Sequence, residues 1–115
     1  MIGKIINKKI WIYTKAIDFR KQLNGLIGVV AEEMGEEAKS DGLYVFRNRQ
    51  RDKMKILMWD RNGFVMGYKR LERGKFDFPD GEETVKMDIR ELMMLVSGMP
   101  MVSKEKTRNG RCFSV

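Results

Sequence analysis

A chain of 115 residues, 43% hydrophobic and 34% charged, has the length and balance of one folded domain with its own core, which excludes a disordered segment. One cysteine, Cys112, excludes an intrachain disulfide and fits a reducing, cytoplasmic setting; the absence of histidine excludes thiolate–imidazole zinc sites and Ser–His or Cys–His dyads. The formal net charge of +7 favours an anionic partner, nucleic acid first.

Taken in order, residues 1–13 (MIGKIINKKIWIY) lack the uninterrupted apolar core of a signal peptide, and no later stretch is apolar enough for a membrane helix. Residues 9–14 (KIWIYT), β-branched and aromatic, read as a strand. Asp18 stands where an N-cap belongs. Phe19, Leu23, Leu26, Ile27, Val30 and Met34 then recur at helical spacing, with Glu32, Glu33 and Glu36 on the solvent side. Gly25 and Gly28 weaken this helix by roughly 1 kcal/mol each relative to alanine, and Gly35 is its expected stop.

Ser40, Asp41 and Gly42 turn the chain into a β-meander with strands 43–49, 54–60 and 64–70. The middle strand sets Ile56 and Met58 on one face and Leu57 and Trp59 on the other, as a strand covered on both sides does. Asp60, Arg61, Asn62 and Gly63 predict either a type I turn with a glycine bulge or a two-residue type I′ turn at Asn62 and Gly63. The first places Lys55 opposite Lys69, the second opposite Arg70. Two cations then face each other, a repulsion that Glu72 or a bound anion would relieve. Beyond Phe76, Phe78 and Pro79 comes an acidic loop, PDGEE, then a short strand at 84–87. Asp88 and Glu91 have the spacing of a capping box, and Ile89, Leu92, Met93 and Val96 form a second apolar stripe, ended by Gly98 and Pro100. The expected fold is α+β: a single domain, residues 1–102, with a mixed or antiparallel sheet of about five strands and two helices in the order β-α-β-β-β-β-α. Residues 103–115 form an expected flexible basic tail.

The positive charge is concentrated. Residues 47–55 carry a local +4 and residues 69–75 a local +3, together equal to the whole net charge, whereas residues 18–37 and 80–91 each sum to −3. The candidate nucleic-acid-binding residues are therefore Arg47, Arg49, Arg51, Lys53, Lys55, Lys69, Arg70, Arg73 and Lys75. An extended chain would set the first five on one side of a ribbon, and a turn at 50–53 would crown a hairpin tip with them. Either arrangement suits phosphate contact better than base reading.

Tyr44, Phe46, Trp59, Phe64, Tyr68, Phe76 and Phe78 interleave with these cations. Such rings can stack on unpaired bases, but a strand-rich core uses the same residues and most are expected inside. The ten methionines read as core filler. Asp52, Asp60, Glu72 and Asp77 lie near the meander, yet no spacing joins three of them as a metal-dependent nuclease requires. No catalytic residue, metal or cofactor is expected.

Residues 44–79, YVFRNRQRDKMKILMWDRNGFVMGYKRLERGKFDFP, resemble the accessory protein of insertion-sequence family sixty-six, the TnpB-type product of the element's second open reading frame (distinct from the RNA-guided nuclease of the same label). The resemblance rests on Phe46, Arg47, Asn48 and Arg49, on Lys55, Ile56 and Leu57, on Trp59, Asp60 and Gly63, and on YKRLERGKF at 68–76. Upstream, Asp18, Phe19, Arg20 and Lys21 resemble the family's Asp-Met-Arg-Lys, with Gly25 and Leu26 at the expected distance. Residues 9–98 are covered. Gly67 stands where the family usually has an aromatic, Met58 replaces a Tyr or Phe, and the chain after Met101 has no counterpart. The resemblance implies a bacterial mobile-element protein needed for transposition beside a separate transposase that cuts the strands. No catalytic residues carry over. The expected partners are the element's DNA ends, that transposase, or both, and neither a membrane nor a small-molecule substrate. The alternatives are a protein–protein adaptor whose basic face docks the transposase and, more remotely, a small RNA-binding or ribonuclease-like protein.

Overall fold

A computed structural model of the chain describes residues 7–81 and 84–98. Its elements are β1 (Lys9–Ala16), α1 (Leu23–Glu32), β2 (Gly42–Arg47), β3 (Lys53–Asp60), β4 (Gly63–Arg70), β5 (Thr84–Met87) and α2 (Ile89–Val96). The strands form one sheet in the order β4-β3-β2-β1-β5. β1 and β2 run parallel with α1 as their crossover, and every other neighbouring pair is antiparallel, so the sheet is mixed. The expected α+β fold, element order and helix count are what the structure has. Cys112 and the expected tail lie outside the described residues.

Strand alternation builds a core on each side of the sheet. On one side Ile10, Ile12, Leu43, Val45, Met54 and Met58 pack with Leu92 and Leu95 of α2 and with Phe76 and Phe78. On the other, Tyr13, Tyr44, Phe46 and Leu57 pack with Leu26, Val29 and Val30 of α1. Each such side chain contributes about 1.5–3 kcal/mol by leaving water. β2 is buried from Gly42 to Phe46 because it lies at the centre and is covered twice. Gly42 is required there, since a Cβ would collide with the Tyr44 hydroxyl. That hydroxyl is bonded to Ser40 Oγ at 2.9 Å.

α2 opens as its sequence dictates. The Asp88 carboxylate accepts from the Glu91 amide at 2.8 Å, and the Glu91 carboxylate accepts from the Asp88 amide at 3.0 Å, a device worth about 1 kcal/mol. α1 departs from expectation. Asp18 is not its cap; the helix begins at Leu23 after Gln22, which makes no side-chain capping bond. Arg20 has claimed the Asp18 carboxylate, with its amide at 2.9 Å and its Nη2 at 2.6 Å. The short side chain thus closes a local turn that competes with the helix. At the far end Gly35 takes φ +69, the left-handed conformation that favours glycine after a helix, and the Glu36 amide reaches back to Val30 O at 3.1 Å.

The β3–β4 register is neither expected one. Asp60 pairs with Gly63, so Arg61 and Asn62 make the turn, and Arg61 adopts φ +58. Lys53 therefore faces Arg70 and Lys55 faces Tyr68.

Lys55 is a further correction. It is only 5% exposed and lies on the α1 side, beneath the turn that precedes the helix. Its Nζ donates to Phe19 O at 2.9 Å and Lys21 O at 2.8 Å, and sits 4.9 Å from the Phe19 ring centroid. Burial pushes its pKa below the usual lysine value. Lys55 therefore ties residues 18–21 to β3 and leaves the set of candidate phosphate contacts. Lys55→Met, which keeps the stem and removes the ammonium, should lower unfolding free energy by about 1–3 kcal/mol in urea melts. An unchanged midpoint would show that the tie carries no stability.

Candidate nucleic-acid interface

Antiparallel pairing returns the chain to the same place twice. The end of β2, the start of β3 and the end of β4 share one end of the sheet, and the end of β1 joins them because β1 is parallel to β2. The two cationic segments are thereby brought together. They are also bonded to each other: the Leu71 amide donates to Asp52 O at 2.8 Å and the Phe76 amide to Arg51 O at 2.7 Å. The acidic run of Glu36, Glu37 and Asp41 leads instead to the start of β2, at the opposite end.

Asn48 organises the β2–β3 loop. Its side chain is buried, and its Oδ1 accepts from the Asp52 amide at 3.1 Å and the Lys53 amide at 3.0 Å. Its Nδ2 donates to Asp52 Oδ1 at 2.6 Å and Gln50 Oε1 at 3.2 Å. The Asn48 bonds lower the Asp52 pKa. Arg51 closes the loop at φ +63, a left-handed conformation held by these bonds. The loop thus projects Arg49 and Gln50 into solvent.

The remaining candidates divide by what holds them. Arg49, Lys53, Arg73 and Lys75 have no carboxylate or carbonyl partner among the described residues. Arg51 and Arg70 are each held by one exposed carboxylate, Asp80 and Glu72, both at 3.1 Å. Such pairs are worth about 0–1 kcal/mol, so their cations are free to exchange partners. Arg47 and Lys69 are fastened to backbone. Arg47 Nε donates to Thr14 O at 2.9 Å, with its guanidinium 5.9 Å from the Phe78 ring centroid, and burial, then the nearby Arg51, lowers its pKa. Lys69 Nζ donates to Val96 O at 2.7 Å, at the carbonyl end of α2.

The structure adds four features to the reading of the sequence. Arg20 and Lys21 join the same end through the β1–β2 parallel pairing, a contact between segments far apart in the chain. Asn48 acts through a buried amide inside a charged string. Tyr68 is 56% exposed, whereas Tyr44, Phe46, Phe76 and Phe78 are buried. At Gly67 a side chain would lie against Ile56, on the α2 side and opposite to Tyr68, so the aromatic missing there does not belong to the Tyr68 surface. Among the described residues, no group of three or more Cys, Asp or Glu is placed to hold a metal ion, and no helix is long and apolar enough to cross a membrane.

Residues 8–106 match the family described as IS66 Orf2 like protein. The chain belongs to this family. It is 32% identical over 100 residues to "Uncharacterized protein y4jC" of Sinorhizobium fredii, covering 86% of each chain. It is 29% identical over 102 residues to "Uncharacterized protein y4hO" of the same organism, covering 88% of this chain and 89% of the relative. No solved structure is significantly similar.

Two outcomes test the geometry of this Orf2-like surface. Asn48→Ala orphans the Asp52 and Lys53 amides and should cost about 1–3 kcal/mol in urea melts, with faster proteolysis at residues 49–52. Asp18 offers a second. Hydrogen bonds from the Arg20 side chain and then its amide hold the Asp18 carboxyl at about 2. The pair therefore contributes fully above the unfolded carboxyl pKa and is lost as pH falls toward 2. Carboxyl NMR titration should place the Asp18 midpoint there, and Arg20→Ala should return it toward 3.8. A wild-type midpoint near 3.8 would refute the pairing.

Proposed function

We propose that this chain is an accessory protein for transposition of a bacterial insertion sequence, acting in the cytoplasm, that binds DNA at the element's ends through the cationic end of its sheet. Strand cutting belongs to a separate transposase, and the chain itself is not an enzyme. Membership of the IS66 Orf2-like family supports the transposition role. The observation that carries the DNA reading is the convergence of residues 47–53 and 69–75 on one end of one sheet, with Arg49, Lys53, Arg73 and Lys75 unpaired among the described residues. Phosphates released from their counterions are the natural partner of such a cluster.

These four cations can be removed without touching the fold, unlike Arg47, Lys55 and Lys69. The variant Arg49→Ala/Lys53→Ala/Arg73→Ala/Lys75→Ala should keep the wild-type melting temperature and lose affinity for duplex carrying the terminal repeats. The slope of log K against log salt should flatten by up to about 0.9 per lost phosphate contact. A folded variant that binds end DNA as tightly as wild type sinks the DNA reading.

The second reading is an adaptor that docks the same cations on an acidic surface of the transposase. The single exposed carboxylates already on Arg51 and Arg70 favour it, because they show the cluster accepting that chemistry. Salt-titrated pull-down of the transposase from nuclease-treated extract separates the two: capture that survives nuclease supports the adaptor.

A further inference from the structure

The α1 side of the sheet is only half covered. α1 packs over β1 and β2 and reaches β3 at Leu57. On β4, the edge strand, Met66 and Tyr68 on that side are 36% and 56% exposed. Phe19, from the 18–21 turn, leans against Tyr68 with ring centroids 6.3 Å apart. Together with Gln22 and Lys53 these residues line a groove of about 620 Å³. Two large side chains left side by side in water make a small apolar patch.

The groove is also positive. Lys53 stands in it without a carboxylate partner among the described residues, and Arg70, held only by the exposed Glu72 carboxylate at 3.1 Å, faces Lys53 across the strands. The Lys55 ammonium lies beside the Phe19 ring. The carboxylate at the rim, Asp18, is already occupied by Arg20 at 2.6 Å. Exposed ring and unpaired cation together are the chemistry of an unpaired nucleotide: the base stacks on the ring and its phosphate meets the cation. Duplex DNA cannot use the ring, because its bases are stacked on one another.

We infer that this groove is a stacking platform for single-stranded DNA, with Tyr68 beneath one base and Lys53 and Arg70 on the adjoining phosphates. The inference rests on the DNA-binding reading above and adds the form of DNA recognised. Tyr68 is held in its strand by pairing with Lys55, which is itself fixed to two carbonyls, so the ring is placed before the base arrives. Met66, two positions along the same face, lies about 7 Å away and is placed to contact the next base.

The test is fluorescence anisotropy with a labelled oligothymidine and, separately, a duplex of the same length. Tyr68→Ala should weaken oligothymidine binding roughly 5- to 100-fold and leave duplex binding unchanged, while Tyr68→Phe, which keeps the ring, should bind as wild type. Tyr68→Ala binding oligothymidine as tightly as wild type overturns the platform; so does equal weakening by both substitutions, which would assign the effect to the hydroxyl. If that happens while the four-cation variant still loses duplex affinity, the DNA reading stands and the platform alone falls. If wild-type protein binds neither probe, both fall. Oligouridine bound more tightly than oligothymidine, with the same dependence on Tyr68, overturns the DNA form in favour of RNA.

Discussion

The surface depends on one buried amide. A loop of alternating cations between two strands has an electrostatic reason to splay, since Arg47, Arg49, Arg51 and Lys53 carry like charge within seven residues. Asn48 prevents it by using all of its side-chain hydrogen-bonding groups inside the loop, two backbone amides on Oδ1 and two side-chain oxygens on Nδ2. Low local dielectric strengthens those bonds and makes their loss costly. The held loop then offers the Asp52 and Arg51 carbonyls to residues 71 and 76. The second cationic segment is thus docked onto the first.

That docking stores repulsion at one end of the molecule. The protein offsets part of it with exposed carboxylates on Arg51 and Arg70, and part by fastening Arg47 and Lys69 to carbonyls. Arg49, Lys53, Arg73 and Lys75 keep no carboxylate or carbonyl partner among the described residues. A DNA-binding surface made this way, as proposed, would gain affinity from phosphate without needing a pocket and would leave specificity to other elements. The strip of β4 beside it leaves Tyr68 and Met66 exposed, a place next to the cations where apolar surface meets water.

Much of this was legible in the sequence, and the failures have common physical causes. Strand-forming composition, turn signals and period-3.6 stripes located the five strands and two helices of the described residues, and the spacing of Asp88 and Glu91 located a real capping box. The hairpin register was misread because Gly63 is the residue that most easily takes a positive φ, yet Arg61 takes it instead. The start of α1 was misread because Asp18 had a closer partner in Arg20 than any helix amide. Lys55 looked like its neighbours in a basic string. Its partners are carbonyls 36 and 34 residues upstream, which no local pattern reveals. Convergence of the two charged segments was legible only in part, because it requires knowing that the strands between them are antiparallel neighbours.

The central claim is that one end of the sheet is the DNA-binding surface. An NMR titration of the labelled protein with duplex from the element's ends reads this residue by residue. The account predicts the largest shifts at Arg49, Gln50, Lys53 and residues 70–75, fading toward Asp41, Asp60 and the Arg61 turn at the other end. Largest shifts at that opposite end, or none at salt where the duplex is bound, would contradict it.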